Sequence, residues 1–228
     1  MDNKVSLIAG STGFLGSRIL NSLSKEDTKT YCLSRRKNNN NQKNIEELII
    51  DFEKLDDFDL PKIDHVYLCL GYELRAWELI VMPDKLKYPF YKVDYEYTLN
   101  IAKKSLDAGA KSISLVSAVG ANTDSTSFYL KTKGELEEEI KKLPFETINI
   151  FQPGHLAGRI NWQRKKNDPR LDVFAFEIAS LFIDPLMINC LRKFRSIKAE
   201  ELAKFIVKKT NEDTKGTFIF NYNDIIIK

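Results

Sequence analysis

The stretch Gly10-Ser11-Thr12-Gly13-Phe14-Leu15-Gly16 constrains the fold more than any other part of the chain. It follows Val5-Ser6-Leu7-Ile8-Ala9, an apolar run suited to a buried strand, and precedes a helical pattern of Phe14, Leu15, Ile19, Leu20 and Leu23. A strand, a glycine-rich turn and a helix start, in that order, make a dinucleotide-phosphate site. The glycines let the turn tighten and the backbone approach a pyrophosphate, whose charge the helix N-terminus stabilises. The spacing here is G-x-x-G-x-x-G rather than G-x-G-x-x-G. All seven residues of the turn are therefore candidates for cofactor binding.

The chain then alternates. Apolar runs of strand length lie near 4–9, 29–34, 46–50, 64–70, 112–117 and 145–151, with helical periods near 14–24, 92–108 and 128–142. Such alternation implies parallel strands joined by crossover helices, an α/β doubly wound, Rossmann-like sheet. At 228 residues one domain accounts for the whole chain. Asp107-Ala108-Gly109 ends the second helix with a glycine where a left-handed cap is wanted, and Pro144 ends the third. Asn38 to Asn41 mark a polar surface loop. After Pro153 the alternation fades into a basic stretch at 158–170, a helix over 171–183, an amphipathic helix from Lys198 to Lys209 and a late strand over Thr217-Phe218-Ile219-Phe220. Residues 155–228 are expected to form a small substrate-side cap.

Charge and cysteines exclude several classes. Basic residues number 35 against 32 acidic, a net charge of +3 that leaves no nucleic-acid footprint. No apolar stretch reaches the ~20 residues of a membrane span, and no signal-peptide core opens the chain. Cys32, Cys69 and Cys190 have no metal-ligand spacing, so no metal site is expected. Cys32 and Cys69 lie in apolar runs, where reduced, buried thiols are expected, which suits a cytoplasmic protein.

Tyr129 and Lys133 stand four apart, on one face of a helix. A phenol ordinarily titrates near ~10, so acid/base work near neutrality asks for a shift of ~3 units. A neighbouring ammonium supplies the right sign. Ser117 ends the apolar run Ile113-Ser114-Leu115-Val116, at the carboxyl end of a parallel strand where ligands of such sheets collect. Its hydroxyl is placed to hold a substrate carbonyl oxygen. The plain alternative for Tyr129 and Lys133 is a solvated helix pair.

The glycine turn, Ser117 and the Tyr129/Lys133 pair resemble the short-chain dehydrogenase/reductases, in their atypical NAD(P)-binding branch. The likeness is nearer to the Tat-interacting-protein-like oxidoreductases. It is carried further by Ser34-Arg35-Arg36-Lys37, the run Asp51 to Asp57, Cys69-Leu70-Gly71, Val93-Asp94-Tyr95, the run Tyr129 to Glu135, and Gln152-Pro153-Gly154. The resemblance covers roughly residues 4–160. It implies that Ser117, Tyr129 and Lys133 form a reductase triad and that Lys133 contacts the nicotinamide ribose. Extended members often carry asparagine where this chain has Asp94; here Asp94 suits a helix cap.

The second strand ends Cys32-Leu33-Ser34-Arg35-Arg36 without the carboxylate that binds a ribose 2′-hydroxyl in NAD sites. A guanidinium suits a 2′-phosphate, so Arg35 and Arg36 favour NADP(H) over NAD(H), against a solvated pair of loop arginines. Asp51 and Phe52 stand where relatives cover the adenine, although Phe52 suits the core equally. Leu70-Gly71-Tyr72 ends the fourth strand, where glycine lets backbone approach the cofactor. Pro153-Gly154-His155-Leu156 resembles the family turn beside the nicotinamide, with His155 read as structural or carboxamide-facing. Arg159 or Arg164 follows it where relatives have an arginine; both also fit a solvated basic loop.

The expected function is NADP(H)-dependent reduction of a small carbonyl substrate by a Ser-Tyr-Lys mechanism. A second reading is an NADP(H)-binding redox sensor acting through a protein partner, and a third is a nucleotide-sugar epimerase using bound NAD. Trp77, Leu79, Ile80, Phe90 and Tyr91 suit a substrate pocket, a subunit contact or plain core equally.

Overall fold

The computed structural model describes residues 4–26, 28–37, 42–159 and 171–226. Its centre is a parallel sheet whose first four strands are β1 (Ser6–Ala9), β2 (Thr30–Ser34), β3 (Ile45–Ile49) and β4 (His65–Leu68). Strands β5 (Ser112–Val116), β6 (Thr147–Phe151) and β9 (Gly216–Phe220) complete it in the order β3-β2-β1-β4-β5-β6-β9. The chain winds outward from β1 to β3, then returns to pair β4 with the other side of β1. That reversal opens a crevice beyond the carboxyl ends of β1 and β4, the place where such sheets bind ligands.

Both faces of the sheet are covered, which is why its inner strands are apolar without alternation. Leu7, Leu33, Val66 and Leu115 turn to one face, with Ile101 and Ala102 of helix α3 (Thr98–Asp107) and Leu136 and Ile140 of α4 (Phe128–Lys142). Ile8, Cys32, Tyr67 and Phe151 turn to the other, against Ile19 and Leu23 of α1 (Gly16–Leu23) and Leu202 and Ile206 of α6 (Ala199–Asn211). Neighbours Leu7 and Ile8 thus serve opposite layers, as strand geometry requires.

Two features differ from the expectation. The helix anticipated at 92–108 begins earlier, at α2 (Asp84–Tyr91), and runs through a π-helical turn (Lys92–Tyr97) into α3. The tail is also divided. Strand β9 pairs in parallel with β6, and α6 packs beside α1, so 199–220 belongs to the core rather than to a cap. Beyond the sheet lie α5 (Leu171–Ile183), two 3-10 turns, and the two-residue ladder of β7 (Leu156–Ala157) with β8 (Ile197–Lys198), whose Ile197 is buried in the second layer. Helix α7 (Tyr222–Ile226) closes the described chain.

Cys32 and Cys69 are free thiols, and burial pushes them up to about 11 and about 12 respectively. Among the described residues no helix is long and apolar enough to cross a membrane.

Candidate active site

The glycine turn is built by steric need. Gly10 has φ +91°, and a Cβ there would lie 2.5 Å from the Cys69 carbonyl oxygen at the end of β4. A Cβ on Gly16 would lie 2.1 Å from the Gly10 oxygen. Two glycines therefore let the turn lie on β4 and the helix lie on the turn. The Gly13 N–H donates to the Gly10 oxygen at 3.0 Å and closes the turn. Ser11 is buried and Thr12 exposed, while Phe14 and Leu15 point into the core. Helix α1 has no acidic residue in its first turn, so its positive end faces no carboxylate of its own.

Arg35 and Arg36 are exposed just beyond β2, in a turn fixed by the Ser34 hydroxyl donating to the Arg36 oxygen at 2.8 Å. Asp51 is exposed and caps a 3-10 turn, accepting from the Glu53 N–H at 3.1 Å. Phe52 lies in the core, its ring edge-on to Tyr97 at 5.5 Å, so the core alternative is the one realised. Leu70 is half-buried and Gly71 exposed, with open space where its Cβ would stand.

The chemistry gathers on α4, whose N-cap Ser127 accepts from Leu130 N–H. Lys133 is buried, and its Nζ lies 2.7 Å from Asp94 Oδ1. Asp94 Oδ2 accepts from the Tyr72 N–H at 2.6 Å. Both carboxylate oxygens accept, which is the role of the ionised form. The α2–α3 helix begins ten residues before Asp94, so Asp94 does not cap it and instead sits buried in the π turn. Burial pushes its carboxyl up, offset by Lys133 and the Tyr72 amide. Burial also works against the Lys133 charge, but the Asp94 carboxylate beside it outweighs that and holds the ammonium above its ordinary value.

Tyr129 is half-buried, its ring 5.5 Å from Phe90 in an apolar cluster with Leu74 and Met82. The Lys133 ammonium pulls its phenol in the expected downward sense, but the net direction is up. Burial raises it, Asp94 adds to that, and the opposing pull of Lys133 is too small.

Ser117 is buried at the end of β5, its N–H donating to the Phe151 oxygen at 2.8 Å. Its hydroxyl donates to Glu137, whose oxygens also accept from Gln152 Nε2 at 3.0 and 2.9 Å. Holding a substrate oxygen would require Ser117 to exchange that bond. The sequence singles out no role for Glu137, and Gln152 enters there only within Gln152-Pro153-Gly154. Lys133 and Glu137 at i,i+4 look like an ordinary surface pair.

At the end of β6 the Pro153 oxygen accepts from Val119 N–H at 2.9 Å. A Cβ on Gly154 would meet the Phe194 oxygen at 2.7 Å, so glycine lets the 194–195 backbone close over this turn. His155 Nδ1 lies 3.1 Å from Ser196 Oγ, and burial lowers its ring below the ordinary value. Leu156 pairs with Ile197. Arg159 reaches Glu73 at 3.0 Å, tying this turn to the loop after β4. Arg164 lies outside the described residues.

The NAD dependent epimerase/dehydratase family matches residues 6–158. The chain is 31% identical over 163 residues to protein HTATIP2 of Rattus norvegicus, covering 68% of this chain and 64% of that protein, just under two thirds of its length. It is 30% identical over 218 residues to a protein named FMP52, mitochondrial, of Lodderomyces elongisporus, covering 93% and 89%. That name puts the relative in mitochondria, a compartment the cytoplasmic expectation for this chain does not share. Among solved structures, UDP-N-acetylglucosamine 4-epimerase from Methanobrevibacter ruminantium has a TM-score of 0.69 at 15% identity, over 97% of this chain and 77% of that one. Human epimerase family protein SDR39U1, solved with NADPH, has 0.65 at 16%, over 95% and 74%. These likenesses show a Rossmann fold of the short-chain dehydrogenase/reductase type. With two thirds of its length matched, the chain belongs to the NAD dependent epimerase/dehydratase family.

Proposed function

We propose that this protein is an NADP(H)-dependent oxidoreductase that reduces a small carbonyl compound. The observation that carries the reading is Tyr129 and Lys133 together on α4, with Lys133 buried and paired to Asp94, in a chain whose glycine turn has no room for a Cβ at Gly10 or Gly16. The turn at Gly10–Gly16 and the positive end of α1 suit a pyrophosphate, and Arg35 and Arg36 suit a 2′-phosphate. Bound there, the nicotinamide supplies a hydride. Tyr129 donates the proton to the carbonyl oxygen. Lys133 has three N–H donors, of which Asp94 engages one side, leaving donors for a ribose hydroxyl. Ser117 steadies the carbonyl oxygen once released from Glu137. The epimerase reading is less well supported, because no carboxylate follows β2 to hold an NAD ribose.

The test is Tyr129→Phe. The ring keeps its packing on Phe90 and loses only its hydroxyl. Reduction of a panel of small aldehydes, ketones and quinones should fall by about 10²-fold or more, with NADPH affinity within about twofold of wild type. Unchanged turnover would overturn the mechanism.

A further inference from the structure

We propose that Asp94 is a positioning residue that holds Lys133 in a buried ion pair on the helix that also carries Tyr129, and so sets how strongly the Lys133 charge acts on the phenol. The inference rests on the reductase reading above and adds a positioning residue to it.

A lone ammonium beside a phenol favours the phenolate, the form needed to take a proton from an alcohol. Here a carboxylate stands 2.7 Å from that ammonium. The two together are a short dipole with no net charge, whose field at the phenol is far weaker than that of the cation alone. Asp94 cannot swing away easily, because its second oxygen is held by the Tyr72 N–H at 2.6 Å and the side chain is 2% exposed. The π turn that carries it is part of a continuous helix from Asp84 to Asp107, so the carboxylate comes from a rigid element.

The other groups facing the pair do not replace it. Cys69, at the end of β4, feels the Lys133 charge, but its thiol is buried and neutral. Glu137, one turn along α4, is turned to Ser117 and Gln152. Asp94 and Lys133 are the charges that act on Tyr129, and Asp94 acts in the same sense as burial.

The test reads the ionisation of Tyr129 directly, without substrate. Phenolate absorbance is followed against pH in the full-length protein and in its Tyr129→Phe counterpart, and the difference reports Tyr129 alone. The same pair of titrations is made with Asp94→Asn, an isosteric change whose amide oxygen still accepts from the Tyr72 N–H. The Tyr129 midpoint should fall by about one pH unit or more, a tenfold rise in phenolate at a given pH. Asp94→Glu, which restores the charge, should move it back toward wild type. Asp94→Ser, small and neutral, takes the place of the amide if that variant does not fold. A substitution that merely loosens packing would lower the melting temperature without moving the midpoint. A midpoint unchanged or raised in the neutral variant overturns the proposal. Loss of the reductase reading shows elsewhere, as wild-type turnover indifferent to Tyr129→Phe.

Discussion

At the scale of single residues, the strongest demands fall where atoms have no room. Gly16 is the tightest case, since a Cβ there would overlap the Gly10 carbonyl at 2.1 Å, and that oxygen belongs to backbone that cannot turn aside. Gly16→Ala should cost about 1–3 kcal/mol in urea unfolding. It should also weaken NADPH binding at least tenfold, because the turn must move off β4. Gly13→Ala should be much milder, its nearest foreign atom lying 3.2 Å away. His65 makes a different demand. It is buried on β4 with Nδ1 against the Ser112 hydroxyl, and burial pushes its ring down to about 3. The unfolded chain takes up that proton near pH ~6.5, so between there and pH 3 the unfolded state binds more protons. The stabilisation is therefore whole above about pH 6.5 and drains away as pH falls. His65→Gln should flatten the pH dependence of stability in that window by up to about 1.4 kcal/mol per pH unit. An identical slope in both proteins would contradict this.

At the scale of elements, Phe151 at the end of β6 shows how the tail joins the sheet. It is fully buried, stacked on Phe220 of β9 at 5.1 Å and edge-on to Phe205 of α6 at 6.2 Å. Phe151→Ala should cost about 3–5 kcal/mol, as expected for a core aromatic, and a loss below about 1 kcal/mol would mean the tail is only loosely attached. The strand over 217–220 was legible in its apolar run. Its place beside β6 was not, because a parallel partner is chosen by the whole fold and leaves no local mark. The same contrast holds in the site. The glycine turn, Tyr129 and Lys133 declare themselves by spacing along one segment. The Lys133–Asp94 pair joins residues 39 apart in sequence and depends on a π turn that no apolar period announces. The start of α2 was hidden for a similar reason, since Pro89 lies inside it and only Phe90 among its residues is buried.

At the scale of the molecule, the fold turns a local motif into a site. The reversal of strand order between β1 and β4 brings the glycine turn opposite Leu70-Gly71-Tyr72, and Tyr72 leads through Asp94 to Lys133 on α4. The glycine turn and the Tyr129/Lys133 segment thus reach the same end of the sheet from parts of the chain more than a hundred residues apart. The tail 171–195 packs outside the sheet and meets the site through Gly154 and Arg159. The direct measurement is a calorimetric titration of the protein with NADPH and, separately, with NADH. NADPH should bind at least tenfold more tightly, the advantage vanishing in Arg35→Ala/Arg36→Ala. Binding of neither nucleotide would contradict the site itself, and preference for NADH would contradict the part assigned to the two arginines.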